Sequence, residues 1–393
     1  MKPLATAWID NAPTHDPAAR RGDAAAPPVI VAADALGAEL PVVWDMLAAH
    51  AHEPNAFMQR WFAAPSLAHC DGNGGARLVF AMRGTGAIAA FLLVDRRLYG
   101  AIPMAHVASW RHPNMFLGGA MIVAGEEQAA WRALFAALTS QGRHYLVFGP
   151  LDRDGAMARG LERAAREAGH GCRLVRSEQR ALLVAAGCAA DYWDRAVRGK
   201  KRKELRRQER RLGELGALAF ETLSDTDEMA GWCDAFLALE QAGWKGREGS
   251  ALACSPTTQA MFRSVLAEAW AAGALSFSRL TLDGRPIAML TTLLDGTAGF
   301  SFKTTYDEAL AAYSPGVLLQ RHNLDVVEAL GLAWVDSCAA PGHPMIDSLW
   351  TERRRLGWYA LSLSGGWHRR AFDAIHRLKE VKHGLTRAGE PKP

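Results

Sequence analysis

The sequence lacks most of what would mark a membrane, secreted or metal-held protein. No apolar run approaches the ~18–20 residues of a membrane-spanning helix. The six cysteines, Cys70, Cys172, Cys188, Cys233, Cys254 and Cys338, are scattered, and none forms a Cys-x-x-Cys pair. Neither a zinc site nor a disulfide scaffold is suggested; reduced thiols in a cytoplasmic protein are expected. There is no HExxH and no EF-hand loop, so no metal site is expected. Charge of one sign is scarce too. The 45 Lys and Arg against 41 Asp and Glu leave +4, too little to argue for nucleic acid or membrane from the total alone. The opening MKPLATAWIDNAPTHDPAARRGDAAAPP has no continuous apolar segment of a secretory signal. Its Ala, Pro and charge predict a poorly ordered tail over 1–28, and 386–393 reads the same way.

What is present suits a globular protein. The 393 residues are 49% hydrophobic and 22% charged, enough for two or three cores. The segment LSFSRLTLDGRPIAMLTTLLDGTAGFSFKTTYD holds Asp283-Gly284 and Asp295-Gly296, strong hairpin turns between apolar runs. It predicts antiparallel strands over about 275–282, 285–294 and 297–306. Alternation along the third puts Phe300, Phe302, Thr304 and Tyr306 on one face, and Ser301, Lys303 and Thr305 on the other. A helix follows, with Ser314 as N-cap, Pro315 in its first turn and Gly331 at its stop. LAWVDSCAA then reads as a short buried strand ending at Asp336. The first half repeats this order. ARLVFAMRGTGAIAAFLLVDRRLYGAIPMAHVASW gives three strands, EEQAAWRALFAALTSQG a helix with Trp131, Leu134, Phe135 and Leu138 on one stripe, and RHYLVFGPLD a strand ending near Gly149. Helices precede both sets. We read an internal duplication with boundaries 29–185 and 186–385.

Several motifs bear chemistry. Ser314-Pro315-Gly316-Val317-Leu318 opens a helix, where free N–H groups and partial positive charge suit an anion; plain capping is the alternative. Lys303, Tyr306, Tyr313 and Asp307 lie around it. Lys303 suits a phosphate or carboxylate, Tyr306 or Tyr313 a proton donor, and Asp307 a base if burial raises its pKa; capping a turn is the plain reading of Asp307. Trp244, Lys245 and Arg247 suit an anionic or sugar-like acceptor, or form a loop anchored by its Trp. Glu240 is a second base candidate, or a solvent-facing helical carboxylate. Asp336 is placed to orient an acceptor amine. Cys338 suits a buried free thiol better than a nucleophile. GKKRKELRRQERR holds eight basic and two acidic residues. It reads as a solvated helix or a polyanion contact, and without interleaved aromatics it suits single-stranded nucleic acid poorly.

GKKRKELRRQERRLGELG, GWKGREG, FKTTYDEALAAYSPGVLL and VDSCAAPGHPMIDSLWTERR, in this order, resemble the CelD/BcsL (BioF2-like) acetyltransferase family. That family belongs to the GCN5-related N-acetyltransferases (GNAT) and is similar to the FemAB peptidyltransferases. The resemblance implies an α/β (α+β) fold of tandem GNAT-like units, each a mixed, mostly antiparallel sheet flanked by helices. It implies a degenerate first unit, with His112-Pro113-Asn114-Met115 where the second has Ser-Pro-Gly-Val. It implies acetyl-CoA or another acyl-CoA as co-substrate, its pyrophosphate cradled by Ser314–Leu318 with Lys303 alongside. It also implies a small-molecule or glycan acceptor in cell-envelope or exopolysaccharide synthesis. The rivals are an aminoacyl-tRNA-dependent peptidyltransferase and a non-catalytic accessory protein of a polysaccharide synthase.

Overall fold

A computed structural model describes residues 26–388 apart from 73 and 186. The tails expected over 1–28 and 386–393 lie mostly outside these residues; 386–388 continue the last helix. In the first half come β1 (Val29–Ala32), α1 (Leu40–Ala49), α2 (Arg60–Cys70), β2 (Ala76–Arg83), β3 (Gly86–Arg96), β4 (His106–Ser109), β5 (Ala120–Ile122), α3 (Glu127–Ser140), β6 (Tyr145–Asp152), α4 (Ala156–Glu167) and β7 (Gly171–Val184). In the second come α5 (Ala189–Ala196), α6 (Gly199–Gly213), β8 (Leu218–Thr222), α7 (Met229–Ala242), α8 (Trp244–Arg247), α9 (Pro256–Ala271), β9 (Leu275–Leu282), β10 (Arg285–Asp295), β11 (Ala298–Tyr306), α10 (Pro315–Ala329), β12 (Trp334–Asp336), α11 (Pro344–Asp347), β13 (Glu352–Ser362) and α12 (Gly366–Ala388). Among the described residues no helix is long and apolar enough to cross a membrane.

The order strand, strand, strand, helix, strand does occur twice: β2-β3-β4-α3-β6, then β9-β10-β11-α10-β12. The fourth strand lies parallel to the third in each set, β6 on β4 and β12 on β11, and the other neighbours are antiparallel. The Asp283-Gly284 turn needs the positive φ its sequence allows, 50° and 76°. The strand expected to end near Gly149 continues to Asp152, because Leu151 and Asp152 still pair with β13.

All strands join one sheet, β1-β2-β3-β4-β6-β13-β7-β12-β11-β10-β9-β8, with β5 beside β3. Its centre is an exchange. β7 leaves the first half and pairs with β12; β13, at the end of the second half, pairs with β6. The two exchanged strands pair antiparallel with each other from Glu352↔Leu182 to Ser362↔Gly171.

One face of this sheet carries a core shared by both halves, under α1, α2, α7 and α9. Phe57 meets Phe300 at 5.5 Å between centroids and Phe62 meets Phe302 at 5.6 Å, both edge-on. Each buried ring contributes about 1.5–3 kcal/mol. The other face divides: α3 and α4 cover the first half, α5, α6 and α10 the second.

Register corrects one expectation. Thr291 pairs with Lys303 and Thr292 with Ser301, so Phe302 is a bulge. An extra residue reverses the alternation beyond it. Lys303 and Thr305 therefore share the face of Phe300 and Phe302, while Thr304 and Tyr306 turn to the face covered by α10.

Candidate active site

The parallel pair β11/β12 is short: Ala298↔Trp334, Gly299↔Val335 and Phe300↔Asp336. From there to Tyr306, β11 stays paired with β10 alone. β12 ends, and the amide of Ser337 bonds instead to Ala181 on β7. The sheet thus opens at a notch between Phe302–Tyr306 and Ser337–Cys338. The bulge sorts the expected residues onto its two sides.

On the α10 side lie Ser314, Pro315, Gly316, Val317 and Leu318, with Tyr306, Tyr313 and Asp307. Ser314 holds the N-cap position in a left-handed conformation, φ 54°, and its side chain makes no capping bond. Its carbonyl accepts from Val317 and Leu318 at 2.9 and 3.0 Å. Pro315 has no N–H, so Gly316 carries the first-turn amide that this carbonyl does not take. Gly316 is buried, and a Cβ there would stand 3.2 Å from both Met345 Sδ and Tyr306 Cδ1. Close packing alone already favours a glycine here. The Asp307 carboxylate accepts from Ala309 N–H at 3.0 Å and pairs with Arg285 Nη1 at 2.9 Å. It caps the turn, as the plain reading of Asp307 expects, and is ion-paired as well. α6 flanks this entrance. Gln208 donates to Ala312 O at 3.0 Å, and the Arg211 guanidinium lies 5.8 Å from the Tyr313 ring centre. Leu205 and Leu212 anchor the helix, while Leu215, just past its end, is exposed.

On the shared-core side lie Glu240, Lys245 and Lys303. Glu240 is 2% exposed, not solvent-facing. Cys233, Phe236, Leu237 and Glu240 follow the i, i+3, i+4, i+7 stripe of α7, and that spacing signals its burial. Its oxygens accept from Lys245 Nζ at 2.7 Å and Leu252 N–H at 2.8 Å. Lys303 Nζ donates to Asn114 Oδ1 at 2.6 Å and sits 5.6 Å from the ring centres of Phe116 and Phe302. Burial, then the neighbouring Lys245, pushes its pKa down to about 8. Lys303 therefore faces away from the helix entrance with which it was grouped. Trp244-Lys245-Gly246-Arg247 forms α8, not a loop anchored by its Trp: Trp244 is 47% exposed. Trp244 N–H and Arg247 Nη2 both donate to Glu308, each at 2.6 Å.

Asp336 lies under the notch, fully buried. Arg180 Nε stands 2.8 Å from Oδ1 and Arg354 Nη1 3.0 Å from Oδ2. Cys338 N–H donates to Oδ1 at 2.9 Å. Burial would raise this carboxyl's pKa, but the two guanidiniums outweigh it and hold it below the usual range. Both oxygens of Asp336, the residue expected to orient an acceptor amine, are thus taken up within the protein. Arg354 also pairs with Asp152 at 2.9 Å, and Arg180 Nη2 donates to Phe116 O at 3.0 Å. The network ties both halves to the Cys338 turn. Burial, then Asp336, pushes the Cys338 thiol well up, so it stays protonated.

Two groups escaped the sequence reading. The segment His112–Met115 is not the first half's helix entrance; α3 starts at Glu127 after the N-cap residue Glu126, and these acidic residues disfavour phosphate. The segment instead reaches the second half's Lys303 through Asn114. His112 is 8% exposed, stacks on Phe62 and lies 5.6 Å from Trp110. Burial, then Lys303, lowers its pKa to about 4.

Residues 199–343 match the model of the acetyltransferase (GNAT) domain. The match runs from α6 to just before α11, and both sides of the notch fall within it. None of the curated proteins compared matches the chain. Among solved structures, FemX superposes with a TM-score of 0.55 at 9% identity, over 81% of this chain and 95% of its own. The C-terminal domain of a protein described as a lysylphosphatidylglycerol synthetase from Agrobacterium fabrum gives 0.51 at 12%, over 87% and 95%. A conserved protein of unknown function from Bacteroides thetaiotaomicron VPI-5482 gives 0.50 at 12%, over 82% and 97%. At these identities the likeness is one of fold, and it extends over both halves.

Proposed function

We propose that the protein moves an acetyl or other acyl group from a coenzyme A thioester to an amine or hydroxyl acceptor. The notch carries this reading. β11 leaves β12 where the GNAT-type domain opens its sheet, and α10 points its first turn at the opening. The thioester would enter from the α10 side, its phosphates beside Gly316 and the exposed cations of α6, and its carbonyl against the unpaired edge of β11. Tyr306, packed against Gly316, is the acid nearest the departing thiolate. Glu240, Asp307 and Asp336 are all engaged, so an amine acceptor would enter neutral and, after attack, give its proton through water to the Tyr306 phenolate left when the thiolate is protonated. Calorimetric titration with coenzyme A and acetyl-CoA tests this. Saturable binding is expected; its absence would sink the acyl-CoA reading.

One observation favours a second donor. The exposed basic face of α6 beside the entrance would suit the phosphates of an aminoacyl-tRNA. That reading requires tRNA binding that falls steeply with salt. The sequence resemblance alone supports an acceptor from cell-envelope or exopolysaccharide synthesis, or a place beside polysaccharide-synthesis machinery. Co-purification with a synthase, with no thioester bound, would mark the accessory role.

A further inference from the structure

We propose that Lys303 and the ring N–H of His112 together bind a carboxylate of the acyl acceptor, at a site built from both halves. The proposal rests on the acyl-transfer reading for the word acceptor, but on charge and hydrogen bonding for the carboxylate.

Lys303 is a half-buried cation on the shared-core face. Drawing such a charge partly out of water is unfavourable unless an anion accompanies it. Its hydrogen-bond acceptor in the structure is the neutral side-chain carbonyl of Asn114, and its other neighbours include the rings of Phe116 and Phe302. The surrounding anions are committed elsewhere. Glu240 is paired with Lys245 at 2.7 Å, Asp336 with Arg180 and Arg354, and Cys338 keeps its proton. The cluster therefore carries a surplus positive charge.

His112 supplies the second donor. Asn114 N–H donates to its Nδ1 at 3.4 Å, so the neutral ring carries its hydrogen on Nε2. That Nε2 is buried with no hydrogen-bond partner. A buried donor left without an acceptor is unfavourable, and Phe62 and Trp110 hold the ring in place. A lone N–H and a single surplus cation match an acceptor with two oxygens and one negative charge. A phosphate dianion would bring more charge than the site lacks. The donor's phosphates also belong on the opposite face, because the bulge at Phe302 turns Lys303 away from α10.

The test uses the whole chain, with N-acetyl-L-alanine, an acylated amine bearing a carboxylate, against its methyl ester. Binding is followed by calorimetry and by the ε-methylene NMR signal of Lys303. The acid should bind at least about tenfold tighter than the ester and move that signal; the ester should leave it in place. Lys303→Met should abolish the preference, and His112→Phe, which keeps the ring, should reduce it. Equal binding of acid and ester, an unmoved signal, or a preference that survives Lys303→Met would overturn the proposal. Should the variants fail to fold, the wild-type signal still decides. Acetyl-CoA is titrated into the same samples. If it binds while the acid and ester do not differ, the carboxylate site is wrong and the donor reading stands. If the acid is preferred and acetyl-CoA does not bind, the carboxylate site stands and the donor reading is wrong.

Discussion

Among single residues, charge burial sets the behaviour. Lys303 has its pKa depressed to about 8 from an ordinary 10.5, first by burial and then by Lys245. Below pH 8 its ammonium is charged in folded and unfolded chains alike, and burial penalises the folded one. Between about 8 and 10.5 the folded chain sheds the proton while the unfolded chain keeps it, so this residue's contribution to stability rises with pH. Lys245, Glu240, Cys338 and His112 face the same group, so the clean observable is a difference. The unfolding free energy of wild type minus that of Lys303→Met should increase from pH 7 to about pH 9.5; a flat difference would contradict the depressed pKa of this half-buried cation. Carboxylate binding should weaken over the same rise. Asp336 makes the opposite case. Asp336→Asn leaves Arg180 and Arg354 facing each other without their shared anion. It should cost about 3–5 kcal/mol in urea unfolding, whereas an exposed active-site carboxylate would cost almost nothing. These roles were only partly legible in the sequence. The solvent-facing reading of Glu240 overlooks its spacing from Cys233, Phe236 and Leu237, which puts it on an apolar stripe. Asp336 was visible as the end of a buried strand, but its partners come from β7 and β13, far along the chain.

At the scale of elements, the hairpins and the helix entrance were readable because turns and caps are local chemistry: Asp-Gly between apolar runs, Ser-Pro before a helix. The bulge was not. One inserted residue has no compositional mark, yet it sends Lys303 to the other face of the sheet and divides the expected site in two. The basic helix α6 was readable as a helix; its place beside α10 was not, since only packing brings Gln208 to Ala312. That placement yields a prediction. Lys203→Glu with Arg207→Glu, both exposed, should weaken coenzyme A binding several-fold at low salt. The loss should shrink as salt screens the field. An equal loss at all salt concentrations would mean that α6 acts by shape instead.

For the whole molecule, the repeated order of elements was visible in the sequence, but the exchange of β7 and β13 was not. It makes each half depend on the other for a central strand. The shared core, with Phe57 and Phe62 against Phe300 and Phe302, adds to that dependence. A chain beginning at residue 187 lacks β7 and exposes half of that core. It should fail to give a cooperative unfolding transition, while the full chain unfolds in one; an independently folded second half would contradict the exchange. The same architecture explains why the first half, without a phosphate-binding entrance of its own, still matters: its His112 and Asn114 complete the second half's site.

The most direct test of the central claim is hydrogen exchange of the full chain with and without acetyl-CoA. If the notch is the donor site, protection will concentrate in residues 301–306 and 314–320, on β11 and the first turns of α10. No protection, or protection confined to the first half, would contradict it.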